Sequence, residues 1–147
     1  MRYCLGALPK ILLIAEDDPN DVRLLELAAQ QFSTDEIRFQ VVRDGEEALA
    51  YLGGEEKYAD RSAYPLPDLI LLDVRMPKLD GFQVLKWIRS SAEMRDMKVF
   101  VWADSQFRTD VDKAVAGGAD RVIPKPNHMA ALREILREIR DILIAQE

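Results

Sequence analysis

Four stretches of this chain carry residue types suited to chemistry with phosphate. Glu16, Asp17 and Asp18 form an acidic run, Asp73 ends an apolar stretch, Ala103-Asp104-Ser105 end another, and Lys125 follows a fourth. Carboxylates brought within a few ångströms repel one another, and a hard divalent cation with oxygen ligands relieves that repulsion, magnesium being the natural occupant. A lysine on the far side of Asp73 would hold that carboxylate in line and then pair with a phosphoryl oxygen. The set suits phosphoryl transfer, in which a carboxylate attacks phosphorus and becomes an acyl phosphate while fixed positive charge meets the phosphoryl oxygens. The acidic run alone could equally be a helix-start cluster complementing the helix macrodipole. The chemistry therefore depends on whether the fold brings the stretches together.

The elements between them predict that it does. Ile11-Leu12-Leu13-Ile14-Ala15 and Leu69-Ile70-Leu71-Leu72 are short continuous apolar runs ending on carboxylates, as strands buried on both faces would be. Ile37 to Val42, Val99 to Trp102 and Val122-Ile123 read as three further strands. Helical spacing runs from Pro19 to about Gln31, from Asp44-Gly45 to Gly53-Gly54, over Phe82 to Ile88, and from Val111 to Gly117-Gly118. It returns in a final long stripe of Leu132, Ile135, Leu136, Ile139 and Leu143. Glu55 to Pro67, with its charges and prolines, reads as a surface loop or extended connection. Strand then helix, five times over, predicts a doubly wound α/β fold with one five-stranded parallel sheet. Ligands of such sheets collect at the carboxyl ends of the strands, where Glu16, Asp17, Asp73 and Lys125 would converge.

Composition agrees with one domain. The chain has 147 residues, of which 48% are hydrophobic, enough for one good core, with residues 1–9 as a leader and 10–147 as the domain. A formal net charge of −6 argues against nucleic acid or an anionic membrane as direct partners. No apolar run approaches the roughly 20 residues that span a bilayer. The single cysteine, Cys4, cannot form an internal disulfide, and Met1 to Lys10 lacks a signal-peptide core, so a cytoplasmic location is expected.

The motifs Ile11 to Asp18, Leu71-Leu72-Asp73-Val74-Arg75-Met76-Pro77, Asp80-Gly81 and Lys125-Pro126 together resemble the receiver domains of two-component response regulators, with the flavodoxin-like, CheY-like (βα)5 fold. The resemblance covers roughly Lys10 to Ile142 and is particularly close to stand-alone regulators partnered with cyanobacterial and bacterial phytochrome kinases. It implies that Asp73 is the phosphoacceptor for a partner histidine kinase. It further implies that Asp17 binds Mg2+ directly, Glu16 mainly through water, and Arg75 through its backbone carbonyl, while Lys125 is the phosphoryl partner. A homodimer through the last two helices and the fifth strand is also implied, along with a downstream protein partner that the sequence does not identify.

Two positions depart from the family pattern. Ala103 stands where a Thr or Ser hydroxyl ordinarily binds the phosphoryl group, and Val122 where a Tyr or Phe ring ordinarily swings inward behind it. Phosphorylation is therefore expected with an atypical readout, and a pseudo-receiver that signals without phosphorylation is the alternative. Ser105 is a substitute hydroxyl only if its loop is reshaped. A metal-dependent hydrolase with an aspartyl nucleophile would place a second Asp two positions on, where this chain has Arg75, a side chain able to shield an acyl phosphate from water. Trp87 and Trp102 read as packing residues, Asp18 as a cap, His128 as a cap of the last helix, and Cys4 as a spectator.

Overall fold

A computed structural model describes residues 8–104 and 108–145, so Cys4 and Ser105 lie outside the described residues. Five strands, β1 (Lys10–Ala15), β2 (Ile37–Val42), β3 (Leu69–Asp73), β4 (Lys98–Ala103) and β5 (Arg121–Pro124), alternate with five helices. The helices are α1 (Pro19–Ala29), α2 (Gly45–Gly53), α3 (Gly81–Ser90), α4 (Arg108–Ala116) and α5 (Met129–Ile144). The strands form one parallel sheet in the order β2-β1-β3-β4-β5. Chain order reverses between β1 and β3, which places a crevice at their carboxyl ends, as expected for this topology.

Alternation along each strand divides the core in two. Leu13, Ile70, Leu72, Val99 and Val101 face α2, α3 and α4, where they meet Ala48, Leu52, Val84, Leu85 and Ile88. Leu12, Ile14, Leu69, Leu71, Phe100 and Trp102 face α1 and α5, where they meet Leu25, Ala28, Leu132, Leu136, Ile139 and Leu143. The central strands β1 and β3 are covered on both sides, which explains their unbroken apolar sequence. β5 is an edge strand and only partly covered.

Local signals set the helix ends. Asp18 caps α1 by accepting the Asn20 N–H at 2.8 Å, with Pro19 in the first turn. The α1 helix ends at Ala29, slightly short of the expected Gln31. Gly54, at φ 68°, closes α2 in the left-handed conformation. Asp80 and Gln83 form a reciprocal capping box at the start of α3, each side chain accepting the other's backbone N–H at 2.9 Å. Asp80→Ala is expected to lower stability by about 1 kcal/mol. A urea midpoint equal to that of the native chain would show that the box contributes nothing.

The segment expected to be a plain surface loop has a core of its own. It contains a short 3-10 helix, Glu56–Ala59, and packs Tyr58 and Tyr64 against Tyr51 with ring centroids 4.9 to 6.1 Å apart. The Tyr58 hydroxyl donates to Glu47 at 2.7 Å, and Arg61 donates to the carbonyls of Tyr51, Leu52 and Tyr64. Aromatic burial and paired polar ends order this stretch without helical or strand periodicity.

Candidate functional site

The carboxyl ends of β1, β3 and β5 bring four of the chosen side chains to one rim. Glu16 follows β1 with no solvent exposure, and Asp73 ends β3 with 3%. One carboxylate oxygen from each of Glu16, Asp17 and Asp73 lies within 4.8 Å of the others. Lys125, just past β5, donates from Nζ to Asp73 Oδ2 and to Glu16 Oε1, both at 3.1 Å. Glu16 Oε2 accepts the Asp18 N–H and Asp73 Oδ1 accepts the Arg75 N–H, each at 3.2 Å. The acceptor carboxylate is thus held at both oxygens.

One ammonium does not balance this much negative charge. Burial first, and the neighbouring Asp73 carboxylate second, push the Glu16 carboxyl up to about 8, although Lys125 pulls the other way. Burial works against a charged Lys125, but Asp73 and Glu16 outweigh it and hold the amine above the ordinary lysine range. Lys125 is therefore a fixed cation at neutral pH. An all-oxygen donor set with surplus negative charge fits a hard divalent cation, and Glu16, Asp17 and Asp73 are the side chains able to hold one.

The other chosen residues fall as follows. Ala103 ends β4 and is buried, with its carbonyl accepting the Lys125 N–H at 3.0 Å. Val122 lies on β5 opposite Val101, and both Ala103 and Val122 face the core cluster shared with α4. Neither can donate a side-chain hydrogen bond to a group at the rim. The Arg75 guanidinium reaches α4, where Nη2 meets Asp110 Oδ2 at 2.7 Å. His128 caps α5 by accepting the Ala131 N–H at 3.2 Å, and Trp87 packs at the edge of the core.

Three contacts at or beside the rim escaped the sequence reading. Asp21 Oδ2 lies 3.5 Å from Lys125 Nζ, and its place four residues after Asp17, in the first turn of α1, was the available signal. The Lys125 amine also lies 5.5 Å from the centroid of the buried Trp102 ring, a cation–π arrangement. The Arg75–Asp110 pair links residues 35 positions apart and has no local signal. A separate cavity of about 600 Å³ opens at the opposite, amino-terminal edge of the sheet beside Lys10, Arg38, Arg61 and Asp68. Asp68 is already engaged there by the Ile11 N–H at 2.7 Å, and Arg61 by its three carbonyls. The rim, with its surplus charge, is the better candidate for chemistry.

Comparison with known proteins places this geometry in a family. Residues 12–137 match the response regulator receiver domain. Response regulator Rcp1 of Synechocystis sp. is 35% identical over 103 residues, covering 70% of this chain and 67% of Rcp1. The crystal structure of the phosphorylated cyanobacterial phytochrome response regulator RcpA superposes with a TM-score of 0.83 at 32% identity, covering 95% of this chain and 96% of RcpA. That of the Mn2+-bound form of Rcp1 superposes with a TM-score of 0.76 at 30% identity, covering 89% and 91%. Receiver domains are signalling modules of two-component systems rather than enzymes in the ordinary sense, and among the described residues no helix is long and apolar enough to cross a membrane. With the CheY-like sheet order, the acidic rim and a family match over most of its length, the chain belongs to the response regulator receiver domain family.

Proposed function

We propose that Asp73 accepts a phosphoryl group from a partner histidine kinase in a magnesium-dependent reaction. Glu16, Asp17, Asp73 and the Arg75 backbone carbonyl would hold the Mg2+. The observation that carries this reading is the 3.1 Å contact between Lys125 and an Asp73 carboxylate that shares its rim with Glu16 and Asp17. An Asp73 oxygen attacks phosphorus as the bond from phosphorus to the kinase histidine breaks, leaving an aspartyl phosphate. Bound magnesium would supply neutralising charge to the phosphoryl oxygens. Lys125 exchanges its Asp73 contact for one with the phosphoryl group, while Arg75 N–H keeps the carboxyl oriented. The likeness to RcpA supports a phytochrome-type kinase as donor. Signalling would pass through protein contacts in the cytoplasm, including a second copy docked on α4, β5 and α5, with residues 1–9 acting as a leader to the domain.

Ala103 and Val122 favour a second reading, a pseudo-receiver that binds partners without being phosphorylated. A missing neutral hydrogen bond costs only about 0.5–1.5 kcal/mol, whereas the nucleophile and the acidic cluster are intact, so phosphorylation with an atypical readout is preferred. Incubation with acetyl phosphate separates the two. The first reading requires a magnesium-dependent mass increase of one phosphoryl group, abolished by chelator, and an unchanged mass supports the second. Magnesium at about ten times its Kd should also stabilise the fold by about 1.4 kcal/mol. The shift should vanish in Asp17→Asn, and a shift that survived would place the ion elsewhere.

A further inference from the structure

Asp110 is a buried acid that the phosphoryl chemistry does not use. It is 5% exposed, and the Arg75 guanidinium meets it at 2.7 Å from a side chain that is itself largely in solvent. Arg75 stands two residues past Asp73 and donates its own N–H to the Asp73 carboxylate, so the origin of this side chain is fixed beside the acceptor. Its far end is fixed on the first turn of α4. The pair therefore spans from the reacting carboxylate to a helix that is lightly held. Among its described residues α4 buries only Asp110 and Ala114, and Val115 is 62% exposed.

We infer that Arg75 and Asp110 form the link between phosphorylation and α4: the Arg75 guanidinium leaves Asp110 for the phosphoryl oxygens, and α4 loosens. This inference rests on Asp73 being the phosphoacceptor. A phosphoryl group carries more charge than one carboxylate and offers oxygens that guanidinium binds in a fork, so it competes effectively for Arg75. Asp110, a buried acid deserted by its guanidinium partner, must gain solvent or another partner, and the lightly packed α4 is the element that gives way. The rim then needs neither a hydroxyl at Ala103 nor a ring at Val122, because charge exchange does the coupling. Arg75 contacts the phosphoryl group in this scheme, and Asp110 is a positioning residue that restrains it beforehand.

The two residues are thereby opposed in their effects, which a purely structural ion pair would not produce. The test uses the full chain with magnesium and acetyl phosphate, reading adduct decay by intact mass and α4 exposure by hydrogen exchange of a peptide covering residues 108–116. In the native chain, phosphorylation should raise α4 exchange roughly tenfold. Arg75→Ala should shorten the adduct lifetime severalfold, and Asp110→Asn should lengthen it, since its arginine is no longer held back. Asp110→Asn should also form the adduct while α4 exchange no longer responds to it. Equal lifetimes in both variants, or a native α4 that does not respond to a fully formed adduct, would overturn the inference and leave the phosphoacceptor reading standing. No adduct on the native chain would overturn both.

Discussion

Asp73→Asn is expected to leave no phosphoryl adduct after treatment with acetyl phosphate and magnesium, and to raise the unfolding temperature of the metal-free protein. The first effect follows from chemistry: an amide is not a nucleophile toward phosphorus at neutral pH, and Glu16, the other carboxyl held at both oxygens, is fully buried and pushed up to about 8, chiefly by burial, which leaves it a poor substitute. The second follows from electrostatics. Asp73 and Glu16 are buried together and share one ammonium, so burial and mutual repulsion push Glu16 up to about 8. A neutral amide at position 73 removes the repulsion, while Lys125 keeps Glu16 and Asp21 as partners. The gain should be on the order of 1 kcal/mol, an instance of a site held at the expense of stability. Thermal unfolding in chelator measures it, and a variant less stable than the native chain would mean that the ion pair outweighs the repulsion.

Gly81→Ala should damage both the fold and the rim. A Cβ at Gly81 would press on the Asp73 carbonyl oxygen and lie 2.7 Å from Val74 Cα and 3.0 Å from Asp73 C. All three are backbone atoms, so no flexible side chain can yield. The Gly81 N–H donates to the Val74 carbonyl at 3.0 Å, which ties the start of α3 to the loop that carries the acceptor. Relief must come from moving that loop or the capped end of α3, at a cost of about 3 kcal/mol, the upper end for overpacking. Because the atoms displaced belong to Asp73 itself, the rate of adduct formation should fall as well. Urea denaturation and the time course with acetyl phosphate measure the two effects, and a variant with native values in both would refute the close approach.

How much was legible beforehand follows from where the information lies. The strand cores were readable because β1 and β3 are covered on both faces, so that Ile11 to Ala15 and Leu69 to Leu72 are apolar without interruption. The rim was readable because parallel topology puts every strand's carboxyl end on one side, which turned Glu16, Asp17, Asp73 and Lys125 from scattered residues into neighbours. Tyr58 was not readable as core, since its burial comes from rings of α2 and of the following segment meeting at no regular period. The partners of Arg75 and Lys125 on α4 and α1 were missed for a related reason. Asp110 and Asp21 look like ordinary first-turn acids, and only the packing of each helix against the sheet decides what they face.

The most direct test of the account is the identity of the residue that carries the phosphoryl group. Borohydride reduces an acyl phosphate to an alcohol, so treating the chain after incubation with acetyl phosphate and magnesium converts the acceptor aspartate to homoserine, which peptide mass sequencing locates. Homoserine is expected at position 73 in the magnesium sample and at no position when magnesium is chelated. Homoserine at Asp17 or Asp18, or none under either condition, would contradict it.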